Sequence, residues 1–185
     1  MPTFQHDGLQ SHYRETGDGL PFVFQHGLGA ECSQTFSVFT PPPGVRMITM
    51  DCRGHGETVP LGPEDKISIP QYADDVAALM DHLGIRRAVV GGISMGAATA
   101  LHFALTRPER VVGLVLSRPA WLDVPRTGDF QVFALVAGLI RKYGAWEGAR
   151  RFQESDTFQR IKAVSVDNAL SLLGQFAHPR AEETV

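Results

Sequence analysis

The chain has 185 residues, 43% of them apolar and 20% charged, and a formal net charge of −3. That composition excludes a disordered chain, which combines low hydrophobicity with high net charge. It also supplies no strong field to draw the protein onto nucleic acid or an anionic membrane.

Residues 3–6 and 9–16 read as a starting hairpin turned at Asp7-Gly8. Short apolar runs follow at 21–25, 45–50, 88–93 and 111–116, without polar alternation, as expected for parallel strands buried on both faces. Helices are expected between them at 32–39, 69–83 and 95–106; the second carries Tyr72, Val76, Leu79, Met80 and Leu83 at helical spacing and stops at Gly84. Strands alternating with helices indicate an α/β fold with a mostly parallel sheet flanked by helices. The character changes after Trp121: a polar loop precedes helical patterns at 130–143, 146–153 and 164–176, and no strand-like run follows. Two regions are therefore expected, a core over residues 1–121 and a helical segment with a polar tail over 122–185. Cys32 and Cys52 are too few for a disulfide scaffold and read as reduced thiols. The start lacks a signal-peptide pattern, and no apolar run approaches the length that spans a bilayer. A cytoplasmic protein without a membrane partner is the expectation.

The most informative motif is Gly92-Ile93-Ser94-Met95-Gly96, placed after an apolar strand and before a helix. A nucleophile on so tight a turn needs neighbours without side chains two residues either side, which are Gly92 and Gly96. Such a turn lifts the Ser94 hydroxyl out of the sheet and points the amide of Met95 at charge developing on a substrate oxygen. A phosphate-binding reading fails: Ala97 and Ala98 stand where a phosphate loop needs Lys and Ser/Thr, and Ile93 occupies the central glycine of a dinucleotide fingerprint. No cofactor is expected. His26-Gly27-Leu28-Gly29 follows an earlier strand; its glycines, Gly27 and Gly29, allow close backbone approach, and the Leu28 amide is a candidate second oxyanion donor. The His26 ring is expected to bond to backbone. Asp51, Cys52 and His55 lack a second ligand pair at zinc spacing, so no metal is expected, and the segment reads as a turn held by Asp51, Arg53 and two glycines.

In this order and spacing, His26-Gly27-Leu28-Gly29, Asp51-Cys52-Arg53-Gly54-His55-Gly56 and Gly91-Gly92-Ile93-Ser94-Met95-Gly96 resemble the α/β-hydrolase fold superfamily over residues 1–121. The resemblance implies Ser94 as nucleophile, the Leu28 and Met95 amides as oxyanion hole, and residues 122–178 as the start of a helical cap shaping a pocket for a small apolar acyl substrate. Family members hydrolyse esters, lactones, amides and related bonds; a serine argues against the members that carry aspartate there.

The family orders its triad as Ser, then acid, then His, on strands beyond those found here. The last two strands, the acid and the base are therefore expected to be missing, and the chain to be weak or inactive alone. Two substitutes are considered: Asp123, following the fourth core strand, as acid, and His178, in the polar tail, as base. His102 lies eight residues beyond Ser94 on its helix and reads as structural. Two other readings stand beside the serine hydrolase: a catalytically dead protein that binds a small ligand, and a fragment completed by another chain. The strand at 111–116 is expected to form an exposed apolar edge through which two copies could associate.

Overall fold

In a computed structural model, residues 2–119, 131–178 and 180–183 are described. Their contacts divide the chain into two compact units, Met1–Ala120 and Trp121–Val185.

The first unit opens with the hairpin β1 (Thr3–His6) and β2 (Leu9–Thr16). Its two-residue turn takes positive φ at both Asp7 (49°) and Gly8 (76°), the geometry that matches the twist of the flanking strands. Then follow β3 (Leu20–Gln25), α1 (Cys32–Val38), β4 (Val45–Met50), α2 (Ile69–His82), β5 (Ala88–Ile93), α3 (Met95–Thr106) and β6 (Val111–Ser117). Six strands form one sheet in the order β1-β2-β4-β3-β5-β6. The pairs β4–β3, β3–β5 and β5–β6 are parallel, and β1–β2 and β2–β4 are antiparallel. The apolar runs are therefore parallel strands, as their unbroken hydrophobicity predicts.

The core explains the helix faces. Tyr72, Ala73, Val76, Leu79 and Met80 are the buried apolar side of α2. Most of them join Val23, Ile48, Val90, Ala100 and Phe103 in one cluster. Ser68 starts α2 by accepting the Gln71 amide, and Gly84 (φ 67°) follows its end. Buried Ala97 and Ala100 give α3 a low-profile face, which lets the helix sit close to the strands.

The second unit is helical: α4 (Gln131–Glu154), α5 (Asp156–Val164) and α6 (Val166–Gly174). Residues 131–154 are two helices broken at Gly144 (φ 75°, ψ 170°), as the patterns at 130–143 and 146–153 predict. The unit departs from the sequence expectation in one place. A helix at Asp156–Val164 was not predicted, and Val164, the expected start of the last helix, ends α5 instead. The reason is patterning: α5 contributes Phe158 as its one fully buried residue, so its apolar stripe is too thin to read. Its caps were the available signal, because Ser155 accepts the Phe158 amide at 3.1 Å and Ser165 accepts the Asn168 amide at 3.2 Å. Phe152, Phe158 and Phe176 pack with Val136, Ile140 and Ala169 as this unit's own core. Among the described residues no helix is long and apolar enough to cross a membrane.

Candidate active site

Ser94 stands between β5 and α3 with φ 52° and ψ −105°, a conformation that costs a non-glycine residue about 1–3 kcal/mol. The surroundings hold it there. Its amide donates to the Ser117 carbonyl at 3.0 Å, continuing the β5–β6 ladder, and its carbonyl accepts the Ala98 amide at 3.1 Å, opening α3. The chain therefore turns from strand to helix within one residue. The glycines on either side are obligatory for contact reasons. A Cβ on Gly92 would lie 2.3 Å from the Gly96 carbonyl carbon, and one on Gly96 would lie 2.3 Å from the Gln25 carbonyl oxygen. The first turn of α3 thus rests against the end of β3. The Ser94 side chain makes no capping bond to α3, so its hydroxyl is not consumed by the helix it precedes. Met95, the first residue of α3, is buried.

Hydrogen bonds among the described residues shape the loop after β3. His26 is fully buried; its Nδ1 lies 2.8 Å from the Gly27 carbonyl oxygen and its Nε2 3.0 Å from the Cys52 amide. A carbonyl only accepts and an amide only donates, so Nδ1 carries the proton and Nε2 is the acceptor. Both ring nitrogens are engaged with backbone, as expected, and the ring is no proton acceptor for Ser94. The Gly27 amide donates to Gln34 Oε1 at 2.8 Å, and the Ala30 amide donates to the Gly27 carbonyl at 3.2 Å. Leu28 lies at the exposed crest, 42% accessible, and Gly29 adopts φ 66°. Gly27 has an ordinary φ, and a Cβ there would meet Gln34 Oε1 at 3.4 Å, so its steric requirement is milder than that of Gly92 or Gly96.

Behind this loop Asp51 is a fully buried hub. Oδ1 accepts the Cys32 amide at 2.7 Å, and Oδ2 accepts the Glu57 amide at 2.9 Å and lies 2.7 Å from His12 Nδ1. Burial pushes the Asp51 carboxyl up, but hydrogen bonds from Cys32, Glu57 and His12 outweigh it and hold it below the ordinary carboxylate value. Burial and the Asp51 charge drive the Cys32 thiol far up, so it is no thiolate nucleophile. His12, Cys32 and Asp51 bring three potential metal-ligand atoms within 4.8 Å of one another, a different trio from Asp51, Cys52 and His55. The carboxylate in that trio is already committed to amides and to the His12 ring.

Arg53 departs from the expected role inside its own turn. Its guanidinium, fully buried, forms a two-pronged pair with Asp75 of α2 at 2.7 and 2.6 Å and reaches Asp7 of the hairpin at 3.0 Å. Lys66 Nζ closes the network on Asp7 at 2.6 Å. Asp51 holds the turn and Arg53 ties it to α2 and the hairpin. Sequence reading missed His12, Gln34 and Asp75, because their roles depend on contacts across 39, 7 and 22 residues.

The remaining candidates are not brought to Ser94 within the first unit. Asp123 lies outside the described residues. His178 belongs to the second unit, where its Nδ1 accepts the Arg180 amide at 3.2 Å and its carbonyl accepts the Ala181 amide at 2.9 Å. His102 lies mid-helix on α3. Among the described residues no hydrogen bond joins the Ser94 hydroxyl to a histidine.

A mostly parallel sheet with flanking helices, turning from strand to helix through a strained serine between two obligatory glycines, is the architecture of the α/β-hydrolase class. A family model described as alpha/beta hydrolase fold matches residues 21–163, and the chain belongs to that family. It is 34% identical over 125 residues to a proline iminopeptidase of Neisseria gonorrhoeae, covering 62% of this chain and 40% of that protein. It is 35% identical over 131 residues to 3-oxoadipate enol-lactonase 2 of Acinetobacter baylyi, covering 69% and 46%. The crystal structure of the enol-lactonase from Burkholderia xenovorans aligns with a TM-score of 0.65 at 23% identity, over 98% of this chain and 69% of the other. The matched stretch thus spans less than half the length of these curated relatives.

Proposed function

We propose that this chain carries the nucleophile portion of a serine hydrolase acting on an ester, lactone or similar acyl bond of a small apolar substrate. The observation that carries the reading is the positive φ of Ser94 between two glycines that tolerate no side chain. Backbone strain concentrates where the surrounding structure holds a residue for a purpose. The names of the relatives, an iminopeptidase and enol-lactonases, support hydrolysis at a carbonyl carbon.

In this reading the Ser94 oxygen attacks the carbonyl carbon and its proton passes to a general base. The Leu28 and Met95 amides stabilise the oxyanion. The carbon–leaving-group bond breaks, and the leaving group takes the proton from the base. Water then repeats the sequence on the acyl enzyme and restores the Ser94 hydroxyl. The helical unit acts as a cap, and Asp123 and His178 are the acid and base this chain could supply. Without an efficient base the rate falls by about 10²–10⁴, so slow turnover is expected. No cofactor is invoked, and two buried free thiols, Cys32 and Cys52, suit a cytoplasmic setting.

Hydrolysis of p-nitrophenyl butyrate by the wild type and by Ser94→Ala tests the reading. Slow release of p-nitrophenol that disappears in Ser94→Ala is expected. Equal rates in both proteins would reject Ser94 as nucleophile. Saturable binding of the ester without product would favour a ligand-binding protein.

A further inference from the structure

We propose that Gln34 is a positioning residue for the anion-binding loop, an assignment that rests on the serine-hydrolase reading. The Gly27–Leu28 peptide must present the Leu28 amide in one orientation, yet it lies in a loop with an exposed crest and a positive-φ glycine next to it. Hydrogen bonds hold that peptide and the one before it. The Gly27 carbonyl, part of the Gly27–Leu28 peptide, accepts His26 Nδ1–H and the Ala30 amide. The Gly27 amide, part of the preceding His26–Gly27 peptide, donates to Gln34 Oε1 at 2.8 Å, so Gly27 is fixed as the joint between two tethered planes. The carbonyl tether leads through the His26 ring to the Cys52 amide at 3.0 Å, and the amide tether leads through Gln34 to α1, whose neighbouring residue Cys32 is anchored to Asp51 at 2.7 Å. Gln34 is thus the link between the loop amide and an anchored helix.

Gly27 also lies close to the end of the strand that carries the nucleophile. A Cβ built on Gly27 would lie 3.4 Å from Gln34 Oε1, 3.8 Å from Gln34 Nε2 and 3.5 Å from the carbonyl oxygen of Ile93, the residue before Ser94. Gly27 is therefore wedged between the Gln34 amide and the strand end that delivers the nucleophile. With its acceptor gone, the Gly27 amide would turn to water, the plane before Gly27 would lose its tether, and the Leu28 amide would be held through the Gly27 carbonyl alone. A displacement of about 1 Å in such a group costs on the order of 100-fold in rate.

The test compares wild type, Gln34→Met and Gln34→Glu, using a fluorophosphonate probe and amide hydrogen exchange at Gly27. Gln34→Met keeps the side-chain length and removes the acceptor; Gln34→Glu keeps the acceptor. We expect Gln34→Met to label at least tenfold more slowly at an unchanged melting temperature, with the Gly27 amide exchanging faster. Gln34→Glu should retain the Gly27 protection. Wild-type labelling and exchange in Gln34→Met would overturn the positioning role and leave the serine reading intact. Failure of the wild type to label at Ser94 would instead overturn the reading itself, and the inference with it. Should Gln34→Met not fold, loss of Gly27 protection in folded Gln34→Glu would also count against the inference.

Discussion

Near the site Gly96, like Gly92, has no room for a side chain. Its missing Cβ would press on the Gln25 and His26 carbonyl oxygens at 2.3 and 2.7 Å, both backbone atoms of a central strand end. Gly96→Ala is expected to destabilise the first unit by roughly 1–3 kcal/mol, read as a lower urea midpoint, and to reduce Ser94 reactivity along with it. Asp51 is the other critical residue. Its carboxyl is held below its ordinary 3.8 in the folded chain. A lowered folded value means that its stabilisation is complete above the unfolded value and is lost as pH falls through the folded one. Asp51→Asn should cost roughly 2–3 kcal/mol at neutral pH. In urea unfolding measured across the acid range, the gap between wild type and Asp51→Asn should narrow below about pH 4. A gap that widens on acidification would contradict the assigned direction.

Among the elements, strands were more legible than helices without a broad apolar stripe, while the order of the strands in the sheet was not legible. The runs at β3, β4 and β5 could be read because parallel strands covered on both faces leave no polar alternation; β6 is as uniformly apolar, yet none of its residues is fully buried. α3 could be read from end to end because Ser94 and Pro108 punctuate it. α5 was hidden because Phe158 is its one buried residue, with Ile161 only partly buried beside it, and what starts it is a single serine cap. Ser155→Ala should therefore lower the stability of the second unit by about 1 kcal/mol. Phe152→Ala should cost about 3–5 kcal/mol, since Phe152 is fully buried against Phe158 and Phe176. Thermal unfolding followed by near-ultraviolet circular dichroism would rank the two. The elbow was legible as a five-residue pattern, whereas the supports of the neighbouring loop, Gln34 and the Asp51 hub, were not. Nothing local in the sequence marks a glutamine or a histidine as the partner of a distant backbone amide or carboxylate.

At the scale of the whole molecule, the sheet ends asymmetrically. β1 is a four-residue edge, whereas β6 at the other end has seven residues without a charge and exposes Val112, Leu114 and Val115. An edge of that kind templates pairing with another strand. The account predicts concentration-dependent association of two copies by sedimentation velocity, weakened in Val112→Lys, which places a charge on the edge; association unaffected by that change would place the contact elsewhere. Whether Ser94 is a reactive nucleophile is decided by intact-mass analysis after exposure to a fluorophosphonate, with peptide mapping of the adduct. The account predicts one adduct per chain, on the peptide containing Ser94, and none in Ser94→Ala. A wild-type chain left unmodified, or an adduct that persists in Ser94→Ala, would contradict it.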